Sequence, residues 1–205
     1  MKRVDVAVVA LALATSQNAC MFRAQPDSFR YYTLAPSAEP SVQSGSTLTV
    51  GVGPVTLPGY LSRPSLVTRV DDTRVRYAEG DLWAEPLVRQ FTRTLSEDLS
   101  GALGGAKIID YPWYPSAPID VAVVVNVFAF EVDTTGAATV TAEWTLRDPQ
   151  SRKVEYQGRS SILEPAGASP GKAAIGEAAV PALSRALALL SREIAVAIVT
   201  NRRSR

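Results

Sequence analysis

A strict two-residue alternation of apolar and polar side chains in residues 139–146 limits the possible folds of this chain more than any other feature. Four apolar side chains alternate there with three threonines and Glu143, as in a β-strand with one covered and one open face. The preceding run Ile119–Val132 is apolar on both faces for much of its length, as expected of a central strand. The turn Asp133–Gly136 joins the two runs, so we predict an antiparallel pair.

Six further segments have the β-branched and aromatic content of strands and are bounded by turn-forming residues. Asp71-Asp72-Thr73 separates two of them and predicts a hairpin, because Asp side chains stabilise turns by bonding to nearby backbone. Gly51 and Gly53 lie inside another segment, which indicates a bulge or a close approach of other atoms to the backbone. The predicted strands are residues 29–34, 48–57, 65–70, 74–77, 107–111 and 154–162.

Two amphipathic helices are predicted, at about residues 85–103 and 173–200. Leucine or phenylalanine recurs every four residues in the first, and glycines follow it. The second contains Pro181, which predicts a kink or a restart, and a stripe of Leu and Ile follows this proline. Strands with one helix in the middle and one at the end predict an α+β domain. We expect a mixed, mainly antiparallel sheet with both helices packed on one face.

The N-terminus resembles a secretory signal that ends at the only cysteine of the chain. Lys2 and Arg3 precede the apolar run Val6–Ala14, and Cys20 follows Ala19. We interpret residues 1–19 as a signal peptide, Cys20 as the site of lipid attachment, 20–28 as a tether and 29–205 as a single domain. A secreted protein cut near Ala14 or Ala19 is the alternative. The run is too short for a transmembrane anchor.

Composition argues against most enzymatic mechanisms. The 205 residues contain no histidine, which removes Ser–His and Cys–His nucleophilic mechanisms and imidazole metal sites. The formal net charge is +1, so electrostatics do not favour nucleic acid as a partner. We therefore predict no catalytic residue, no cofactor and no metal ligand, and we expect a protein that is not an enzyme.

The acidic and basic residues of the hairpin region have alternative interpretations. The Asp71-Asp72 pair is best explained as a structural turn. The alternative is that this pair and the carboxylates of Glu79, Asp81 and Glu85 supply the acid and base of a hydrolase. Arg69 and Arg76 would bind an anion or a partner's carboxylate if they faced each other across the hairpin. The competing interpretation is that these arginines pair with acids on their own surface.

Residues 50–99 carry a long, ordered resemblance to a known family. They include Val52–Val55, Tyr60–Pro64, Val67–Arg69, Tyr77–Glu79 and Trp83–Leu87. Arg30–Leu34 and the C-terminal helix also fit. The chain resembles the ABC-type transport auxiliary lipoproteins, which accompany paraquat-inducible and mammalian-cell-entry (MCE) type lipid transport systems of Gram-negative bacteria.

The resemblance implies a non-enzymatic lipoprotein on the periplasmic face of the outer membrane, and Met21 after Cys20 agrees with sorting to that membrane. The implied partners are an MCE-domain protein that spans the periplasm and, through it, an ABC permease and ATPase. We expect the segment 58–83 to contact the partner through Tyr60, Arg63, Arg69, Arg76, Tyr77, Glu79 and Trp83. An envelope assembly lipoprotein with a different partner is the alternative function, and a homo-oligomer stays open.

Overall fold

Eight strands form one mixed sheet in the computed structural model, which describes residues 29–37, 48–167 and 175–204. Cys20, the predicted signal peptide and the predicted tether lie outside the described residues, as do parts of the loops after Leu34 and Glu164. The strands are β1 (Arg30–Tyr32), β2 (Thr49–Thr56), β3 (Ser65–Arg69), β4 (Val75–Trp83), β5 (Lys107–Asp110), β6 (Val121–Asp133), β7 (Ala138–Arg147) and β8 (Val154–Glu164).

The strand β6 organises the sheet. It pairs antiparallel with β7 along one edge, and β7 pairs antiparallel with β8. Along its other edge it pairs in parallel with β2 over Val121–Asn126 and with β3 at Val132 and Asp133. Beyond β2 lies β5, and beyond β3 lie β4 and then β1. The long pairings are antiparallel, which confirms the predicted mixed, mainly antiparallel sheet.

Both helices, α1 (Leu87–Ala102) and α2 (Ile175–Arg203), pack against each other and against the sheet. The helices cover the apolar face of the sheet, as the alternation of residues 139–146 predicts. In β7 every second side chain is buried and the others are half-buried. Phe91 of α1 meets Phe130 of β6 edge to face, with 5.2 Å between the ring centroids. Since one cluster of buried apolar residues joins both helices to the sheet, the described elements share one core.

The helices agree with the predicted ranges to within a few residues. In α1 the predicted stripe Leu87, Phe91, Leu95 and Leu99 is buried, and the chain leaves the helix at Gly104 and Gly105, which both have positive φ. Helix α2 continues through Pro181 as one element, so the predicted restart is wrong. Pro181 is the seventh residue of the helix, so its missing amide removes one intrahelical hydrogen bond without ending the helix.

Side chains of both helices hold the chain that follows β1. The amide of Leu34 donates to Oε1 of Gln90 at 2.9 Å, and the amide of Ala35 donates to Oγ of Ser184 at 3.2 Å. The amide of Ser37 donates to Oδ1 of Asp98 at 2.8 Å. Gln90 and Asp98 are buried polar residues, so these bonds provide partners for them.

Asp81 of β4 joins the edge strand β1 to the start of α2. Its buried carboxylate accepts hydrogen bonds from Nε of Arg30 at 2.6 Å, from Tyr32 at 3.4 Å and from the amide of Gly176 at 3.1 Å. The amide belongs to the first turn of α2, where backbone donors lack partners within the helix. One acidic side chain therefore fixes two elements that are far apart in the sequence.

Gly51 and Gly53 of β2 lie where other atoms closely approach the backbone, as predicted. A Cβ atom on Gly51 would lie 3.0 Å from Cδ1 of Ile119, and one on Gly53 would lie 2.7 Å from Cβ of Tyr111. The register with β6 also shifts between Val52 and Val55. The strand thus contains both a close approach and an irregularity, on the face opposite the helices.

Candidate partner-binding surface

The segment 58–83 begins with a short 3-10 helix, Gly59–Ser62, that lies between β2 and β3. Leu61 of this helix is buried in the core, whereas the half-buried side chain of Tyr60 reaches Glu131. Glu131 is paired with Thr139, so it points away from the helices. The short helix therefore places Leu61 in the core and Tyr60 on the open face of the sheet.

Glu131 lies at the centre of a charged network on that face. Arg69 binds it through two hydrogen bonds, Nε to Oε1 at 2.6 Å and Nη2 to Oε2 at 3.0 Å. The hydroxyl of Tyr60 donates to Oε2 at 2.9 Å. The side chain of Glu131 is only 6% exposed and that of Arg69 is 32% exposed. A shielded carboxylate with a bidentate guanidinium partner is a strong and directional contact.

The network shifts the ionisation of its members in the expected directions. Burial, assisted by the hydrogen bond to Glu131, raises the pKa of Tyr60 to about 12. The hydrogen bond to Glu131 raises the pKa of Arg69 above its ordinary value. At neutral pH the network therefore holds a neutral tyrosine and a charged guanidinium, and it serves as a structural clamp between β3, β6 and the short helix.

Tyr77 and Arg63 extend the network toward solvent. The hydroxyl of Tyr77 donates to the backbone oxygen of Tyr60 at 3.2 Å, and the guanidinium of the exposed Arg63 lies 4.6 Å from the centroid of the Tyr77 ring. The guanidinium of Arg69 similarly lies 5.7 Å from the ring of Tyr60. We call Tyr60, Arg63, Arg69, Tyr77 and Glu131 the Tyr60 cluster.

The other predicted contact residues are not members of the Tyr60 cluster. Arg76 and Glu79 are exposed on β4, whereas Trp83 is 5% exposed and belongs to the core. The register pairs Arg69 with Val75 and Arg76 with Thr68, so the two arginines project to opposite faces of the hairpin. Of the two interpretations of these arginines, the one in which Arg69 and Arg76 face each other is therefore wrong.

The acidic turn of the hairpin is structural, as predicted. Oδ1 of Asp71 accepts hydrogen bonds from the amides of Thr73 at 3.0 Å and Arg74 at 2.9 Å. Its Oδ2 accepts one from Nε of Arg74 at 2.6 Å. The bond with Arg74 is the main cause of the lowered pKa of Asp71. Both oxygens are thus engaged within the turn.

Glu131 is the member of the cluster that sequence reasoning missed. It lies within the apolar run Val121–Asp133, between Phe130 and Val132. An acidic residue between two apolar ones in such a run was the available signal, because a carboxylate is rarely buried without a partner. The pattern does not show which cation pairs with it, since Arg69 lies 62 positions away in the sequence.

Two features that the described residues lack bear on the site. Within residues 29–37, 48–167 and 175–204, no group of three or more Cys, Asp and Glu side chains has an arrangement suited to a metal ion. In the same part of the chain, neither helix combines the length and apolar character needed to cross a membrane.

Comparison with known proteins identifies relatives of this chain. A family model described as the ABC-type transport auxiliary lipoprotein component matches residues 32–195. The intermembrane transport lipoprotein PqiC of Escherichia coli K12 is 34% identical over 123 residues, which is 57% of this chain and 62% of the relative. PqiC of Shigella flexneri matches with the same values. The match thus spans less than two thirds of each of these relatives.

A solved structure shares the fold. Protein XCC0632 from Xanthomonas campestris aligns with a TM-score of 0.67 and 16% identity, over 85% of this chain and 97% of that chain. At this identity the likeness shows the fold alone.

Proposed function

Because the chain belongs to the ABC-type transport auxiliary lipoprotein family, we propose that it is a non-enzymatic lipoprotein component of an MCE-type ABC transport system. It would be anchored through Cys20 at the periplasmic face of the outer membrane and support lipid movement between the inner and outer membranes. Its partners would be a periplasm-spanning MCE-domain protein and, through it, a permease and an ATPase. The family match over residues 32–195 carries this proposal.

The state of the buried acids supports a role other than catalysis. Asp81, Asp98 and Glu131 are the buried acids of the described residues. Each accepts a hydrogen bond that fixes the fold, from Arg30, from the Ser37 amide and from Arg69 respectively. A carboxylate-based hydrolase needs two acids that converge on a substrate. The three buried carboxylates instead connect separate structural elements.

We propose the Tyr60 cluster as the centre of the docking surface. Its two tyrosines and two arginines are of the residue types that dominate protein interfaces. Hydrogen bonds to Glu131 and to backbone hold Tyr60, Arg69 and Tyr77 in place before any partner arrives, which reduces the entropy lost on binding. Arg63 lies at the solvent side of the cluster, stacked on Tyr77, and is suited to an acidic or aromatic group of the partner.

The test is co-purification of the MCE-domain partner with Arg63→Glu. Arg63 is exposed and forms no part of the Glu131 clamp, so the variant should keep its circular dichroism spectrum and thermal midpoint. We expect at least about a tenfold loss of bound partner, because the substitution reverses the charge of an interface residue. Arg89→Glu, an exposed charge reversal on α1, is the matched control and should bind normally.

The results distinguish a failure of the proposed docking surface from a failure of the proposed function. Capture of the partner by wild type and by Arg63→Glu alike would refute the docking surface but not the function. If wild type captures no MCE-domain protein from detergent-solubilised envelopes, the proposed function itself fails. Recovery of a cell-wall synthesis protein instead would favour the envelope assembly alternative.

A further inference from the structure

An open groove lies between β8 and α2, on the helix-covered side of the sheet. Its volume is about 730 Å³, which is within the usual range for small-molecule sites. Trp144 and Tyr156 stack there with 5.5 Å between their ring centroids. Ile162, Leu189 and Val196 add aliphatic surface to it.

The groove leaves apolar side chains in solvent. Tyr156 is 45% exposed, Leu189 is 38% exposed and Val196 is 44% exposed. Leu189 and Val196 are seven positions apart on α2 and therefore lie on one side of the helix, two turns apart. Since they share one groove with Tyr156, the exposed apolar surface is grouped rather than scattered.

The polar groups around the groove leave one positive charge available. Arg159 of β8 pairs with Glu143 at 3.1 Å, on the opposite face of the sheet. The hydroxyl of Ser160 donates to Oε2 of Glu193 and accepts a hydrogen bond from Nε1 of Trp144. Arg192 lines the groove and is exposed, and no carboxylate of the described residues lies within ion-pair distance of it.

We propose that this groove binds one acyl chain of an anionic phospholipid, with the phosphate at Arg192. An apolar trough with an unpaired cation at its rim complements a ligand that has an apolar chain and a negative head. The chain would lie along Val196 and Tyr156, which would remove their exposed surface from water.

The groove and the Tyr60 cluster lie on opposite faces of the sheet. Tyr156 and Trp144 are cross-strand neighbours on the helix-covered face, whereas Glu131 lies on the open face. Lipid binding and partner docking can therefore occur at the same time, and the lipid proposal does not depend on the identity of the partner.

The test uses the full chain with Cys20→Ser, which removes the attachment point for its own acyl chains. The probe is lysophosphatidylglycerol with a brominated acyl chain, held below its micelle concentration. Bromine quenches tryptophan fluorescence at contact, and Trp144 lies in the groove. We expect saturable, one-to-one quenching.

Two variants and two matched controls complete the test. Val196→Glu should abolish the quenching, and Arg192→Glu should weaken binding about tenfold, as for a lost hydrogen bond to a charged group. Val88→Glu and Arg89→Glu place the same changes at exposed sites on α1 and should bind as the parent does. An unchanged thermal midpoint would show that the groove variants are folded.

Two results would overturn the proposal. One is quenching that Val196→Glu leaves unchanged, since the probe would then contact another tryptophan. The other is that the parent protein shows no quenching and self-associates, while Val196→Glu is a monomer. The groove would then be an interface between copies of this chain.

Discussion

Replacement of Arg69 by methionine tests whether the Glu131 clamp stabilises the fold. The substitution keeps much of the length and apolar stem of Arg69 but removes the guanidinium. The carboxylate of Glu131, 6% exposed, then keeps the hydrogen bond from Tyr60 but loses its counter-ion. Removal of one partner from a fully buried pair costs about 3–5 kcal/mol. Arg69 is 32% exposed, and solvent screens part of the interaction. We therefore expect about 2–3 kcal/mol.

A second substitution distinguishes two contributions to the lost stability: the loss of the ion pair itself and the cost of a buried carboxylate without a counter-ion. In the double variant Arg69→Met with Glu131→Met no unpaired carboxylate is left at this site, so the loss should fall to about 1 kcal/mol or less. The double variant should thus be more stable than Arg69→Met alone. Such non-additivity is expected of residues that are in contact or share one hydrogen-bond network.

Urea unfolding followed by circular dichroism measures both effects, as shifts of the midpoint at constant slope. Arg74→Met is the matched control, because it breaks the exposed ion pair with Asp71 and should leave the midpoint unchanged within error. If Arg69→Met is no more destabilising than Arg74→Met, the clamp is not shielded from water. If the losses in the double variant add, the two residues do not act as a pair.

Two further predictions follow from the geometry. The pKa of Tyr60 is raised from 10.0 to about 12, so the contribution of this neutral hydroxyl to stability is complete below pH 10 and is lost as the pH rises through 12. When urea unfolding is compared between about pH 9 and about pH 11.5, Tyr60→Phe should therefore lose less stability than wild type. Equal losses of stability in the two proteins would contradict the shift. A Cβ atom on Gly158 would lie 2.3 Å from Cζ2 of Trp144, so Gly158→Ala should destabilise by about 1–3 kcal/mol. The control Gly59→Ala meets no atom within 4 Å and should be milder, and equal thermal midpoints would refute the packing argument.

Local patterns were sufficient to locate the strands and helices. The alternation at 139–146 became β7 (Ala138–Arg147), and the four-residue stripe at 85–103 became α1 (Leu87–Ala102). Both patterns arise from the requirement that one side of each element face the core, and this requirement acts within a few residues. The exception was β4 (Val75–Trp83), of which the pattern predicted only residues 74–77.

The candidate surface was less predictable, because side-chain character alone does not show direction. Tyr60, Arg63, Arg69 and Tyr77 do meet on one face, as the partner-binding hypothesis needs. Trp83 has the character of an interface residue, yet it lies in the core. The partner-binding role itself stays a prediction.

The sequence by itself determined the class of fold, the place of each strand and helix, the lack of histidine chemistry and the likeness to a lipoprotein family. These depend on composition, short periodicities and ordered motifs. Only the tertiary structure decided that β2 and β3 share one edge of β6, that Glu131 pairs with Arg69, and that β8 and α2 enclose a groove. Each of these joins residues many positions apart, and their proximity results from the packing of the whole chain rather than from any local preference.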